Sequence, residues 1–363
     1  MTTIDPFDPL DPLSSIDPLG SFDPLDSFDP VNPFDENLVI DLPVYETVLG
    51  DAAARGASPA LIDGVSGRTV GYQELELATR RLAAGLADAG VEQGDAIALF
   101  STNTLWFAPV LHACARAGAV VCVLDSQADE AELAAQLAES GTRWLFTTPA
   151  LLPLVRKAQR IVGAGPRPVE EIFTLEPVDG CRSVLDLVAV DAPEPVVDIE
   201  PVTDIAVVHH AVGSRRRAQL THSDIAADLA VLASDNPLEP GERVLAGVAF
   251  AQQDGLAFLT QHALRSGATV VVVPELLHAP ELLDAIRAQR VRTAFVTQTV
   301  LYSLVASAPE DTGELGSLER VICVGPELTP DTAETCAVLL GVPTIEYLGR
   351  QTFAGIAPPL PGA

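Results

Sequence analysis

The sequence predicts an α/β protein: two packed α/β lobes with parallel-rich sheets covered by helices, preceded by a disordered arm. Three observations carry this expectation. Short apolar runs alternate with stretches of helical apolar spacing from Val44 to Leu340, the pattern of parallel strands buried on both faces. A chain of 363 residues that is 48% hydrophobic is long enough for one large domain or two lobes. Before this region, residues 1–34 place proline every few positions, a frequency that neither helix nor central strand tolerates.

The elements follow in order. Helical spacing runs over 44–54 and 72–89, the second closed by Gly90. Strands are expected at 96–100 and 119–124 with a helix over 104–117 between them. Helix 130–140 and strand 144–147 complete the next unit. Residues 161–203, rich in proline, valine and acid, read as a crossover between lobes. Alternation resumes with strand 205–208, helix 222–233, strand 244–248, helix 254–265, strand 269–273 and helix 279–289. Strand 293–296, helix 299–307, strand 319–324 and helix 330–340 finish the series. The expected organisation is an arm at 1–36, a first lobe with its crossover at 37–203 and a second lobe at 204–363.

Composition excludes several classes. The net charge is −29, with 50 acidic residues against 21 basic ones. Such a surface repels nucleic acid and anionic membranes. Cys114, Cys122, Cys181, Cys323 and Cys336 are scattered through the chain without C-x-x-C spacing. They read as small core residues of a reducing compartment, with no disulfide framework or zinc site. The adjacent His209 and His210 would face opposite sides of a strand, so no shared metal is expected. No run reaches the ~18 apolar residues of a membrane span, and the N-terminus lacks a basic region and an apolar run. A cytoplasmic location is the expectation, and the excess of Arg over Lys with abundant Ala suggests a GC-rich bacterial genome.

The arm repeats the unit apolar-Asp/Asn-Pro-apolar in seven copies between Ile4 and Phe34. No Lys or Arg occurs before Arg55. Proline holds the preceding residue extended, and Asp-Pro is turn chemistry, so a solubilising tail would account for Asp and Pro. It leaves the regular large apolar residues unexplained, because solvating tails avoid them. A multivalent docking arm explains both, since each later weak contact is intramolecular. The docking anchors are Phe7, Leu10, Leu13, Leu19, Phe22, Leu25, Phe28 and Phe34. The partner expected is a protein with repeated apolar pockets beside basic residues.

The second informative segment runs from Ile205 to His222. An apolar strand leads to Gly213 and Ser214, then to Arg215-Arg216-Arg217, and Leu220-Thr221-His222 opens a helix. Backbone N–H groups in such a turn can cradle an anion. The run resembles the phosphate loop of the adenylate-forming superfamily, which includes acyl-CoA synthetases, luciferases and peptide-synthetase adenylation domains. There it reads approximately S-G-T-T-G-x-P-K-G-V-x-L-T-H. The second glycine falls on Gly213 and the lysine on Arg216, while His209, His210, Ala211 and Val212 replace S-G-T-T, and Arg217 the last glycine.

The resemblance extends over residues 42–355, through Tyr72 to Leu75, Gly90 to Leu99, Asn103, Gly267 to Val273, Leu318 to Pro330 and Gly341 to Tyr347. It implies the fold of that superfamily's N-terminal domain. It implies vestigial nucleotide-binding positions at Gly213, Ser214, Arg216, Thr221, Gly325 and Tyr347. Other positions depart from the pattern: Gln252 stands for a histidine, Arg350 for a threonine and Gln351 for the glutamate near magnesium, a poorer ligand for a hard cation. The resemblance further implies a ribose-binding aspartate, a hinge and a lid lysine after Tyr347, and no matching motif follows here. The expectation is therefore a non-catalytic homologue, acting as an interaction, adaptor or cargo protein through its arm. It has no catalytic residue, resident cofactor or metal, and an acyl or aryl ligand is possible. The alternative is an acyl-activating enzyme or subunit of the carboxylate–CoA ligase type that needs a separate lid-bearing chain.

Overall fold

A computed structural model describes residues 42–163, 168–210, 217–275, 277–309 and 312–348. The arm and its docking anchors lie outside them, as do Gly213, Ser214, Arg216, Arg350 and Gln351. Helices α1 (Val44–Leu49) and α2 (Ala52–Arg55) lead into strands β1 (Pro59–Asp63) and β2 (Thr69–Gly71). Next come α3 (Tyr72–Asp88), β3 (Ala96–Phe100), α4 (Phe107–Arg116), β4 (Val120–Leu124), α5 (Glu130–Ser140) and β5 (Trp144–Thr147). Four elements then occupy a region without any assignment from periodicity: α6 (Leu152–Val162), β6 (Glu171–Thr174), β7 (Arg182–Ser183) and α7 (Val184–Val188).

The second half contains β8 (Ile205–His210), β9 (Arg217–Thr221), α8 (His222–Asp235) and β10 (Arg243–Gly247). One continuous helical rod follows, made of α9 (Gln253–Ala257), a π-helical stretch (Phe258–His262) and α10 (Ala263–Arg265). It leads to β11 (Thr269–Val272), α11 (Ala279–Ala288), β12 (Thr293–Thr297), α12 (Gln298–Ala306), β13 (Arg320–Val324), α13 (Pro330–Leu340) and β14 (Thr344–Leu348).

The strands form two seven-stranded sheets, ordered β14-β13-β12-β10-β11-β1-β2 and β7-β6-β5-β3-β4-β8-β9. Among the named strands of the described residues, β2 and β9, each at an edge, pair antiparallel, and the other ladders are parallel. The sheets do not divide at residue 203/204. The early β1–β2 pair joins the sheet of the second half, and β8–β9 joins the sheet of the first. Each half thus contributes a two-stranded pair to the other's sheet.

Local chemistry sets the element ends. Asp129 accepts the N–H groups of Ala131 and Glu132 at the start of α5, and Gly141 closes it at φ 63. Thr329 caps α13, proline fills its first turn, and Gly341 ends it at φ 68. The whole of α4 is buried, and its residues share one core cluster with the rod after α9 and with strands of both sheets. Outside this central layer, α11, α12 and α13 cover the outer face of the first sheet. Helices α5 and α6 cover the outer face of the second.

The crossover is shorter than 161–203, because β6, β7 and α7 occupy its first part. Residues 190–200 carry no helix or strand. They are held to the body by Arg116, which reaches Glu194 at 2.5 Å and Glu76 at 2.7 Å, and by Gln93 donating to the Asp198 carbonyl at 2.7 Å.

Candidate adenylate site

All parallel strands of a sheet end on one side, and in open α/β sheets ligands bind in the crevice beyond those carboxyl ends. Three polar bridges join the two sheets there. Asn103, just past β3, donates to the Val248 carbonyl at 3.0 Å and accepts the Phe250 N–H at 2.7 Å. His209, near the end of β8, donates from Nε2 to the Ala251 carbonyl at 2.8 Å. Ser126, after β4, donates to Glu275, after β11, at 2.8 Å. Asn103 and His209 together fix the backbone of residues 248–251, which delivers Gln252 and the start of α9. Burial pushes the His209 imidazole below its ordinary range, so it stays neutral and its Nε2 proton serves that bond. Burial likewise raises Glu275, against the lowering bond from Ser126.

Strand β8, which opens the segment with phosphate-loop spacing, ends at this crevice. β8 pairs antiparallel with β9, and His210 faces Arg217 as the last pair next to residues 211–216. A second strand therefore intervenes where the sequence suggested a turn running straight into a helix. Its alternation explains the pairing: Leu220 is buried and Gln219 exposed. One consequence concerns Thr221. It pairs with Ile205 at the opposite end of the hairpin, about 13 Å along the strand from the loop. Its hydroxyl accepts the Asp224 N–H at 3.0 Å, and Asp224 accepts the Thr221 N–H at 2.9 Å. Thr221 is an N-cap for α8.

The structure brings Gly325 and Tyr347 together. The Tyr347 hydroxyl donates to the Gly325 carbonyl at 2.5 Å, across the ends of β13 and β14. Gly325 has φ 116 with open space around its Cα, so conformation and not crowding requires glycine there. Tyr347 is 36% exposed.

A cavity of about 10 Å³ lies behind the hairpin, lined by Val207, His209, Ala218, Leu220, Ile225, Gln253, Leu256, Ala257 and Gln261. That is about the room one water needs. This cavity touches the rod on its β8–β9 side, and residues 325–347 do not line it. Toward the other sheet the rod is filled, with Phe258 stacked on Phe295 at 4.2 Å. The π-helical stretch widens the rod there, and the Thr260 carbonyl takes a bond from His112 Nε2 at 3.0 Å. Among the described residues no three His, Cys, Asp or Glu side chains gather as a metal-binding group, and no helix is long and apolar enough to cross a membrane.

Residues 50–350 match the model of the AMP-binding enzyme family. The chain belongs to that family. Family relatives include 4-coumarate–CoA ligase 5 of Oryza sativa subsp. japonica, 27% identical over 289 residues covering 77% of this chain and 52% of the relative. The chain spans about half the length of the curated relatives it matches. Among solved structures, a long-chain-fatty-acid–CoA ligase from Archaeoglobus fulgidus superposes with TM-score 0.75 at 16% identity, covering 86% of this chain and 64% of that one. An anthranilate–CoA ligase in complex with anthranoyl-AMP gives TM-score 0.75 at 18% identity, covering 87% and 60%. These likenesses establish the AMP-binding N-terminal fold for this family member, two helix-covered parallel-rich sheets included.

Asn103 and His209 are the residues whose roles reading the sequence alone did not reveal. Asn103 follows an apolar strand and was legible as part of a motif, without a job. His209 read only as the loss of a hydroxyl donor; its buried bond to the segment after β10 needs the fold to be seen.

Proposed function

We propose that this chain is the body of a carboxylate-activating enzyme of the acid–thiol (acyl-CoA) ligase type, recruited to its place of work by its N-terminal arm. The observation that supports it is the strand-end crevice that Asn103 and His209 hold in shape, at which β8, the strand that leads into the sequence segment with phosphate-loop spacing, ends. On this view the strand ends and the polar bridges around the crevice serve as the frame of the adenylate site, and several residues of segment 209–217 differ from the family pattern. In this reading the chain binds ATP and an aryl or acyl carboxylate, the class to which coumarate and anthranilate belong in the names of its relatives. Arg215, Arg216 and Arg217 meet the phosphate charge in place of a lysine, with guanidinium groups suited to paired phosphate oxygens. Neutral His209 and Asn103 position backbone and carry no proton in the reaction.

The test is a thermal-shift series with non-hydrolysable acyl-sulfamoyl adenosines built on cinnamic, benzoic and fatty acids. At least one raises the melting temperature of the full chain, and Arg216→Ala reduces that rise. The absence of a shift with every analogue rejects the reading.

Specific residues favour a second reading. Val212, Arg217, Gln252 and Gln351 stand where the family carries Thr, Gly, His and Glu. On that reading the body is a non-catalytic adaptor or cargo protein, and the arm alone carries the function. Recruitment in cells then survives Arg216→Ala and fails when residues 1–36 are deleted, whatever the ligand series gives.

A further inference from the structure

We infer that the exposed face of α6 is a docking surface for the chain's own N-terminal arm. Helix α6 carries Arg156, Lys157 and Arg160 and no acidic residue, in a protein whose net charge is −29. Helical spacing lines up Pro153, Arg156, Lys157, Arg160 and Ile161 as one stripe, and all five are exposed. Its other side is committed to the core: Leu152, Val155, Ala158 and Val162 are buried.

The stripe is chemically unspent. Arg156 and Arg160 make no hydrogen bond or ion pair with the described residues, and Lys157 has only Glu130 at 3.9 Å, both side chains about half exposed. Elsewhere most described arginines are engaged: Arg292, for example, holds Glu239 and Glu319 at 2.5 and 2.7 Å. Ile161 adds an apolar spot that is 57% exposed at the end of the stripe. A surface with two open guanidinium groups beside an aliphatic anchor point calls for an acidic ligand with regularly placed apolar side chains.

The arm is that ligand within the same chain. It carries seven copies of apolar-Asp/Asn-Pro-apolar and no basic residue. Carboxylates of the repeat pair with Arg156 and Arg160, while a Leu or Phe packs on Ile161 and the arginine stems. Proline keeps the repeat extended, so less freedom is lost on docking. An extended segment gains about 3.1 Å per residue, which gives the arm reach over a body of this size. The tether makes the contact intramolecular, and several copies compete for one stripe, which raises occupancy without raising the affinity of any one. The arm is thus kept on its own body until a partner with better-matched pockets takes it.

Lys157 is the only lysine in the chain, which makes a direct test available. Zero-length carbodiimide cross-linking joins carboxylates to amines, so every lysine cross-link reports on α6. An equal mixture of full-length light and isotopically heavy chains is treated at low salt and read by mass spectrometry. The expected result is links from Lys157 to aspartates of residues 1–36 in pairs of uniform isotope. They drop at least fivefold in 1 M salt and in Arg156→Glu/Arg160→Glu, while the Lys157–Glu130 link persists in both. Recovery of the Glu130 link alone overturns the inference, as do arm links indifferent to salt and to the charge reversal. Predominantly mixed-isotope arm links overturn it too, by assigning the stripe to a second copy.

Discussion

Asn103 uses both ends of its amide on the stretch after β10, and neither bond is visible in the sequence. Replacing it by leucine leaves the Val248 carbonyl and the Phe250 N–H buried without partners. The expected loss is about 2–4 kcal/mol of unfolding free energy, read from urea denaturation, with weaker binding of any adenylate analogue. The buried histidines set the acid limit of the fold. His112, His222 and His262 are each pushed down to about 4, by burial first. In the unfolded chain they titrate near ~6.5, so between those values the unfolded state binds more protons. Stability from these groups is complete above about pH 6.5 and is lost as the pH falls toward 4. Asp228 runs the other way: burial and then Asp224 raise it to about 7, so its contribution is lost as pH rises through 7. Three histidines outweigh one aspartate, and the melting temperature should fall on acidification through that window. Asp228→Asn should raise the melting temperature at pH 8 and change it little at pH 4; a rise of equal size at both rules out titration as the cause.

At the scale of elements, strong periodicity was legible and short pieces were not. Helix α3 and helix α13 carry several turns of apolar spacing with glycine beyond, and their extents agree with the sequence reading. Strand β9 escaped because Arg217 to Thr221 is five residues beside a basic run, too short for alternation to outweigh the pull of the following helix. The partners of β1 and β2 were equally hidden, since nothing local tells a strand which sheet to join. Two substitutions test the elements directly. Thr221→Ala removes the N-cap of α8 and should cost about 1 kcal/mol. It should leave anion binding untouched, and a loss of ATP or phosphate affinity at unchanged stability would return Thr221 to the site. Gly255 has no room for a side chain, because a Cβ would meet the Ala249 carbonyl oxygen at 2.1 Å. Gly255→Ala must therefore move the start of α9 away from the 249 turn. Destabilisation by about 1–3 kcal/mol is expected, with hydrogen exchange rising first in residues 248–256.

Across the whole molecule, the ordered set of short motifs pointed to the right fold because each one marks a strand end or a helix start of that fold. Function is less legible, since Gly213, Ser214, Arg216 and Gln351 lie in segments whose chemistry depends on positions that sequence spacing does not supply. Residues Phe7 to Phe34 raise a separate question, answerable by deletion. Removal of residues 1–36 should leave the unfolding transition of the body within about 1 kcal/mol, the scale of a weak exposed contact, and should abolish recruitment. The central claim is that this body activates a carboxylate. ATP-dependent pyrophosphate release, followed with the full chain and a panel of cinnamic, benzoic and fatty acids, alone and with cell extract, tests it most directly. The account predicts acid-dependent release that appears or rises several-fold with the extract and falls with Arg216→Ala. Release that stays at the no-acid background in every combination contradicts it and leaves the adaptor reading in its place.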